Sequence, residues 1–124
     1  MKLDAKTQKA VNDWWREHGD TGYKPDWGKI KLSASNTREH NMRVCEICIS
    51  LLEMGVPFAT EARLNCGVRP DIIAPTHVKP IIEVLWSESN EDFLRTKSHK
   101  YPTVLQGKWI LHNAEWDYDV KLIM

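Results

Sequence analysis

Two short apolar runs that each carry one carboxylate constrain this chain more than any other feature. Residues 69–75 read RPDIIAP and residues 80–86 read PIIEVLW. Both runs are bounded by turn residues and rich in apolar, β-branched side chains, which predicts two antiparallel strands. A turn centred on His77 places Asp71 opposite Glu83, with the two Cβ atoms about 4.5–5.5 Å apart. The pattern therefore predicts a hairpin with two facing carboxylates.

The alternation of side chains along the two strands divides them between two faces of the sheet. One face carries Asp71, Ile73, Ile81, Glu83 and Leu85, and the other, which we assign to the core, carries Ile72, Ala74, Ile82, Val84 and Trp86. Facing carboxylates repel each other and raise one pKa unless a cation neutralises them. Mg²⁺ binds one or two carboxylates together with water and substrate phosphate. We expect a Mg²⁺ site that also accepts Mn²⁺, against the alternative of two acids on a solvated sheet face.

The remaining segments predict a single α/β domain with a small mixed sheet flanked by helices. Asp4 caps a first helix over 5–17, and a loop over 19–37 follows, with a second Pro-Asp pair at Pro25-Asp26 but no acidic partner strand. The next helix is capped by Asn36 or Thr37, ends at Gly55 and has an apolar face of Met42, Cys45, Ile49 and Leu52. Further predicted elements are strands within 56–64, 69–75 and 80–86, a polar helix over about 88–99, and a strand or strand pair within 103–113. The domain divides into an N-terminal helix and loop (1–37), a core (38–113) and a C-terminal extension (114–124).

Composition favours an ordinary soluble protein over a general nucleic-acid coat. Basic and acidic residues number 17 each in 124 residues, although the first 43 residues are locally basic. No apolar run reaches transmembrane length and the N-terminus MKLDAKTQKA lacks a signal-peptide core, so we expect a cytoplasmic location, the host cytoplasm if the chain is virus- or phage-encoded. Cys45 and Cys48 are spaced as in zinc sites and His40 is a further candidate ligand, but buried reduced thiols are the better interpretation.

The order of these motifs resembles the PD-(D/E)xK nuclease superfamily over about residues 39–111. The resemblance rests on an acid-bearing helix ending in glycine, then F-x-T-E, R-P-D-I-I-A-P, I-I-E-V-L and a helix with lysine and tyrosine. The layout is similar to Holliday-junction resolvases and to CoiA-like nucleases, the latter through Glu39-His40, Arg69-Pro70-Asp71 and Glu83. It implies a restriction-endonuclease-like core.

The resemblance also implies roles for individual residues. Asp71 and Glu83 would bind the metal, with the Val84 carbonyl as a third ligand. The helical acid would be Glu39 or Glu46, and Glu39 is preferred because it adjoins His40. Glu61 would either complete the metal shell or pair with Arg63 or Arg69. The side chains expected to contact DNA are Arg38, Arg43, Arg69, Lys100 and Tyr101.

Leu85 departs from the superfamily pattern, which has a lysine at this position. Leucine has neither charge nor hydrogen-bond donor, so it cannot stabilise a developing negative charge on phosphate. Lys97 is the preferred replacement because it lies four residues before Tyr101 and would share its helical face. Lys100 and Lys79 are weaker candidates, and a solvated Lys97 is the alternative.

These expectations combine into one function and two alternatives. The chain is expected to be a Mg²⁺-dependent DNA endonuclease that cuts branched or recombination-intermediate DNA, as a symmetric homodimer with two active sites. A degenerate nuclease fold that binds DNA without cutting it is the first alternative. A small interaction protein with no nucleic-acid role is the second.

Overall fold

The computed structural model describes residues 1–86, 88–115 and 117–124. Within these residues the α-helices are α1 (Ala5–His18), α2 (Arg38–Glu53) and α3 (Asn90–Thr96), and the strands are β1 (Ala59–Thr60), β2 (Ile72–Ile73), β3 (Ile81–Leu85) and β4 (Trp109–Asn113). Short 3₁₀ helices span Ser98–Lys100, Thr103–Leu105 and Val120–Ile123. The predicted C-terminal extension includes Trp116, which lies outside the described residues. No helix in the described ranges is both long and apolar enough to cross a bilayer.

The four strands form one mixed sheet in the order β1-β2-β3-β4. The β1–β2 and β2–β3 pairs are antiparallel, whereas β3 and β4 run parallel. A parallel pair needs a long crossover, and here α3 and two 3₁₀ turns supply it. Ile72 pairs with Ile82 and Ile73 with Ile81, as expected from a turn centred on His77. The predicted register and the coarse α/β class with a small mixed sheet are confirmed.

Both faces of the sheet are buried, whereas only one was assigned to the core. The assigned face, with Ile72, Ala74, Ile82 and Val84, packs against α2 and the C-terminal Ile123. The opposite face packs in a second cluster, which includes Ile73, Ile81, Leu85, Phe93, Tyr101 and Leu105. The segment from α3 to Leu105 therefore covers the face that carries the two acids.

The predicted buried face of α2 is wrong. Met42, Ile49 and Leu52 are 51%, 49% and 42% exposed, while the helix buries Arg43, Val44, Ile47, Cys48 and Leu51. Both sets recur at helical spacing, so periodicity alone cannot choose between them. The face of α2 that packs against the sheet is the one that includes Arg43. The Arg43 guanidinium is tolerated there because it hydrogen-bonds His112 and the Asn113 carbonyl. Cys48 is buried as expected, but Cys45 is half-buried and Cys66 is exposed.

Capping residues set the helix starts near the site. Thr37 caps α2 by accepting the His40 N–H at 3.2 Å, which decides between the two predicted caps. Ser89 and Asp92 form a capping box on α3, the reciprocal arrangement that satisfies two N-terminal N–H groups. The helix then ends at Thr96, well short of the predicted residue 99. The prediction that Lys97 and Tyr101 share a helical face is therefore wrong, since a 3₁₀ turn separates them.

Candidate active-site cleft

The predicted carboxylates lie in one open cleft of about 760 Å³. Its walls come from the start of α2, the chain entering β2, the end of β3 and the segment from α3 to Tyr101. The lining includes His40, Arg69, Asp71, Glu83, Val84, Leu85, Glu88, Lys97, Lys100 and Tyr101. The fold thus brings together Asp71, Glu83, Lys97, Lys100, Tyr101 and Arg69 from the predicted set.

Asp71 and Glu83 hold each other in place through backbone amides. The Asp71 N–H donates to Glu83 Oε1 at 2.9 Å, and the Val84 N–H donates to Asp71 Oδ2 at 2.8 Å. Each carboxylate is therefore fixed by a backbone donor of the neighbouring strand. This exchange depends on the register, because a slip of one strand by one residue would turn its acid to the other face of the sheet.

Glu83 has little access to water, with an exposed fraction of 9%. The pKa of Glu83 is raised to about 8, chiefly by burial and next by the negative charge of Asp71, while the Asp71 N–H and Lys97 act in the opposite direction. A buried carboxyl beside a second carboxylate favours its protonated form unless a cation is near. The pair is therefore a place where a cation would be strongly stabilised.

His40 is a cleft residue that the predicted set of site residues did not include. Its Nε2 lies 3.2 Å from Asp71 Oδ1. The hydrogen bond to Asp71 raises the pKa of His40, burial opposes this, and Asp71 and Glu61 add favourable charge. His40 Nδ1 is buried without a hydrogen-bond partner in the described part of the chain. The available signal was its position three residues after the Thr37 cap, which fixes the direction of the first helical turn.

The Lys97 ammonium is at the cleft, but its direct partner is Glu88. Nζ donates to Glu88 Oε1 at 3.0 Å. Its positive charge also reaches Glu83, whose pKa it lowers. Leu85 is 2% exposed and belongs to the apolar cluster behind the cleft. The cleft lysine, Lys97, is therefore supplied by the C-cap position of α3. Leu85 stands at the β3 position where the superfamily that the motifs resemble has a lysine, and its side chain packs in the apolar cluster.

Tyr101 is 3% exposed, so only a small part of it faces the cleft. Burial raises the pKa of its hydroxyl, and the charges of Glu83 and Asp71 add to this effect. The hydroxyl oxygen is buried and close enough to Glu83 for a side-chain interaction that also raises its pKa, although the two form no hydrogen bond of standard geometry within the described residues.

The acids predicted on α2 do not line the cleft. Glu39 is exposed at the start of the helix, and Glu46 pairs with Arg43 at 3.4 Å. Histidine 40, not a carboxylate, is the α2 side chain beside Asp71. Glu61 follows β1 with a positive φ of 57° and acts on His40 through its charge, without lining the cleft.

Arg43 was predicted to contact DNA, but it is buried between α2 and β4. Its exposed fraction is 6%, and it donates to His112 Nδ1 and to the Asn113 carbonyl oxygen, each at 3.0 Å. Its guanidinium also lies over the ring of Tyr118. These contacts tie α2 to β4 and leave no donor face for a phosphate. Arg38 is exposed beside a separate shallow groove on α2.

The donor set of the cleft fits Mg²⁺ better than a softer metal. Asp71, Glu83 and the Val84 carbonyl offer oxygen donors, and Mg²⁺ commonly binds one or two carboxylates and keeps several waters. In the described residues no three His, Cys, Asp or Glu side chains form a ready-made metal cluster. Mg²⁺ binding therefore stays a prediction that rests on Asp71 and Glu83.

No family model, curated protein or solved structure matches this chain. The likeness to PD-(D/E)xK nucleases is therefore carried by the motifs in the sequence. Support for a function must come from the chemistry of the cleft.

Proposed function

We propose that this protein is a metal-dependent DNA endonuclease of the PD-(D/E)xK type. The observation that carries the proposal is the reciprocal bonding of Asp71 and Glu83. It holds two acids side by side in a cleft where burial opposes their full ionisation. Keeping two acids this close in a buried position is costly, and a bound divalent cation would offset that cost.

In this proposal Asp71 and Glu83 hold Mg²⁺, with the Val84 carbonyl beside them. Bound there, Mg²⁺ supplies positive charge to a phosphodiester oxygen and acidity to a water molecule. Lys97 stabilises negative charge that develops on the phosphate. His40 orients Asp71 through a contact of 3.2 Å between Nε2 and Oδ1. Together these groups favour hydrolysis of a phosphodiester.

The basic side chains around the cleft favour a nucleic acid as substrate. Arg69 and Lys100 are exposed at the cleft, and Lys97 lies within it. Such side chains bind phosphates without reading base sequence. Branched or recombination-intermediate DNA is the proposed substrate by likeness to Holliday-junction resolvases, and a symmetric homodimer would cut two strands.

The second Pro-Asp pair of the chain provides a matched control for the metal site. We expect Asp71→Asn to lower cleavage of four-way-junction and linear DNA by about 100-fold or more, the scale of losing one electrostatic group in an active site. Asp26→Asn changes a surface acid that pairs with Lys31 and should cut like the wild type. Both variants are assayed with Mg²⁺, Mn²⁺ and EDTA. Equal cleavage by pure Asp71→Asn and wild type would refute the proposal.

Binding to DNA without cleavage is the second candidate function. It is favoured by the burial of Leu85 and by the engagement of Lys97 with Glu88, since both leave no lysine in direct contact with the carboxylate pair. This candidate predicts salt-dependent DNA binding by the wild type and no hydrolysis with either metal. Cleavage by the wild type that falls in Lys97→Ala would exclude it.

A further inference from the structure

The two ends of α3 are joined by one ion pair at the cleft. Lys97 is the C-cap residue of the helix, and Glu88 directly precedes the N-cap, Ser89. Seven helical residues rise about 10 Å, so the lysine side chain must extend back along the helix to reach Glu88. The ion pair thus lies at the cleft, which both residues line.

We propose that Glu88 is a positioning residue that holds the Lys97 ammonium at the carboxylate pair. This inference rests on the proposed nuclease function, in which Lys97 replaces the lysine absent at Leu85. Glu88 acts through Lys97 and does not itself touch the substrate.

In the ion pair between Glu88 and Lys97, Glu88 is the more restrained side chain. The Ser89–Asp92 capping box holds the chain direction immediately after it, and its side chain is 23% exposed against 49% for Lys97. A long lysine side chain loses rotamer entropy when it is held in one geometry. A rigid acid at the cleft therefore reduces the number of orientations in which Lys97 points elsewhere.

Both charges lie within electrostatic reach of the carboxylate pair. Glu88 and Lys97 line the same cleft as Asp71 and Glu83. Without Glu88, Lys97 would be free to swing into solvent at the rim. The alternative is that Glu88 restrains Lys97 from the phosphate, in which case its removal would accelerate cleavage.

A double-mutant cycle on single-turnover DNA cleavage separates these outcomes. We expect Glu88→Gln to slow cleavage about threefold to fivefold, the effect of losing a partly exposed ion pair, with DNA affinity in Ca²⁺ unchanged. The variant should cause no further loss in a Lys97→Ala background, and Glu88→Asp should recover part of the rate. Glu91→Gln, an exposed acid in the first turn of α3, is the charge-matched control. A rate equal to or above that of the wild type, or an equal loss in both backgrounds, overturns the proposal.

A second measurement does not depend on cleavage. Amine-selective ¹⁵N relaxation reports the order of each lysine ammonium, and the Lys97 signal is identified by its loss in Lys97→Ala. We expect Lys97 to be ordered in the wild type and in Glu91→Gln, and mobile in Glu88→Gln. If the wild type fails to cut DNA, the proposed function falls, and an unchanged Lys97 in Glu88→Gln then overturns the positioning role as well. A Lys97 that becomes mobile supports the positioning role even in that case.

Discussion

At the scale of single residues, Glu83 carries the largest electrostatic cost. It lies in the buried strand β3, where its neighbours in sequence are Ile82 and Val84. The Asp71 N–H offsets part of the cost of burial, while the Asp71 carboxylate adds to it. Proteins keep such groups at functional sites more often than elsewhere, which is why Glu83 supports a site and not merely a core.

The raised pKa of Glu83 predicts how stability depends on pH in the absence of metal. Between about pH 4.5 and pH 8 the folded state keeps a proton that the unfolded chain has released, so the free energy of unfolding falls as pH rises. The raised pKa of His40 has the same sign, because its stabilising charge is also lost as pH rises. We expect Glu83→Gln to reduce this fall by an amount on the order of a few kcal/mol.

Urea denaturation at a series of pH values in EDTA measures this dependence. Glu39→Gln is the control, because Glu39 is an exposed acid outside the cleft. It should keep the slope of the wild type, and the His40 contribution should remain in both variants. A Glu83→Gln protein with the full wild-type slope would contradict the proposed protonation of Glu83.

At the scale of elements, α2 has two apolar faces and buries only one. Ile47 is fully buried against the sheet, and Ile49, two residues later, is 49% exposed. Burial of Arg43 on the same face as Ile47 is made tolerable by its contacts with His112 and the Asn113 carbonyl. The orientation of α2 also determines which of its side chains reaches the cleft. His40 contacts Asp71, whereas Glu39 does not line the cleft.

The two isoleucines allow a matched test of the helix orientation. We expect Ile47→Ala to lower the free energy of unfolding by about 2–5 kcal/mol, the range for truncating a buried isoleucine. Ile49→Ala should cost about 1 kcal/mol or less, since alanine also has the higher helix propensity. Chemical denaturation measures both variants. Similar losses for the two would mean that α2 packs through a different face.

At the scale of the whole molecule, the net charge is zero, but acidic and basic side chains come together at the cleft. The acids at the cleft lie at its centre, and Arg69 and Lys100 lie among the residues that line it. An electrostatic attraction for phosphate can therefore be local even when the total charge is zero. DNA binding should depend on these few side chains and not on the basic residues counted along the first 43 positions.

The salt dependence of DNA binding tests this local attraction. Each neutralised phosphate contributes about 0.9 to the slope of log affinity against log salt concentration. We expect Lys100→Ala to reduce the magnitude of the slope by about this amount, while Lys121→Ala, in the C-terminal 3₁₀ helix, leaves it unchanged. Fluorescence anisotropy across a salt series, in Ca²⁺ to prevent cleavage, gives the slopes. A similar change in both variants would contradict a local interface.

The parts of the site that depend on local pattern were predictable. Two short strands and the intervening turn fix the register, and the register alone places Asp71 opposite Glu83. Thr37 was one of the two predicted caps of α2, whereas the start of α3 after the Ser89 cap was not predicted. The identity of the α2 residue beside Asp71 was not predictable. A rotation of the helix by one residue would place Glu39 there in place of His40, and the packing of the helix on the sheet decides this rotation.

The sequence by itself determined the α/β class, the hairpin register and the paired carboxylates, because each follows from interactions between residues close along the chain. Only the tertiary structure decided that Arg43 is buried, that His40 reaches Asp71 and that Lys97 is held by Glu88. These contacts join segments whose relative rotation depends on how whole faces pack. Short-range patterns are set by backbone geometry, whereas the choice between two similar faces of a helix is a small difference in burial energy that appears only when the sheet is in place.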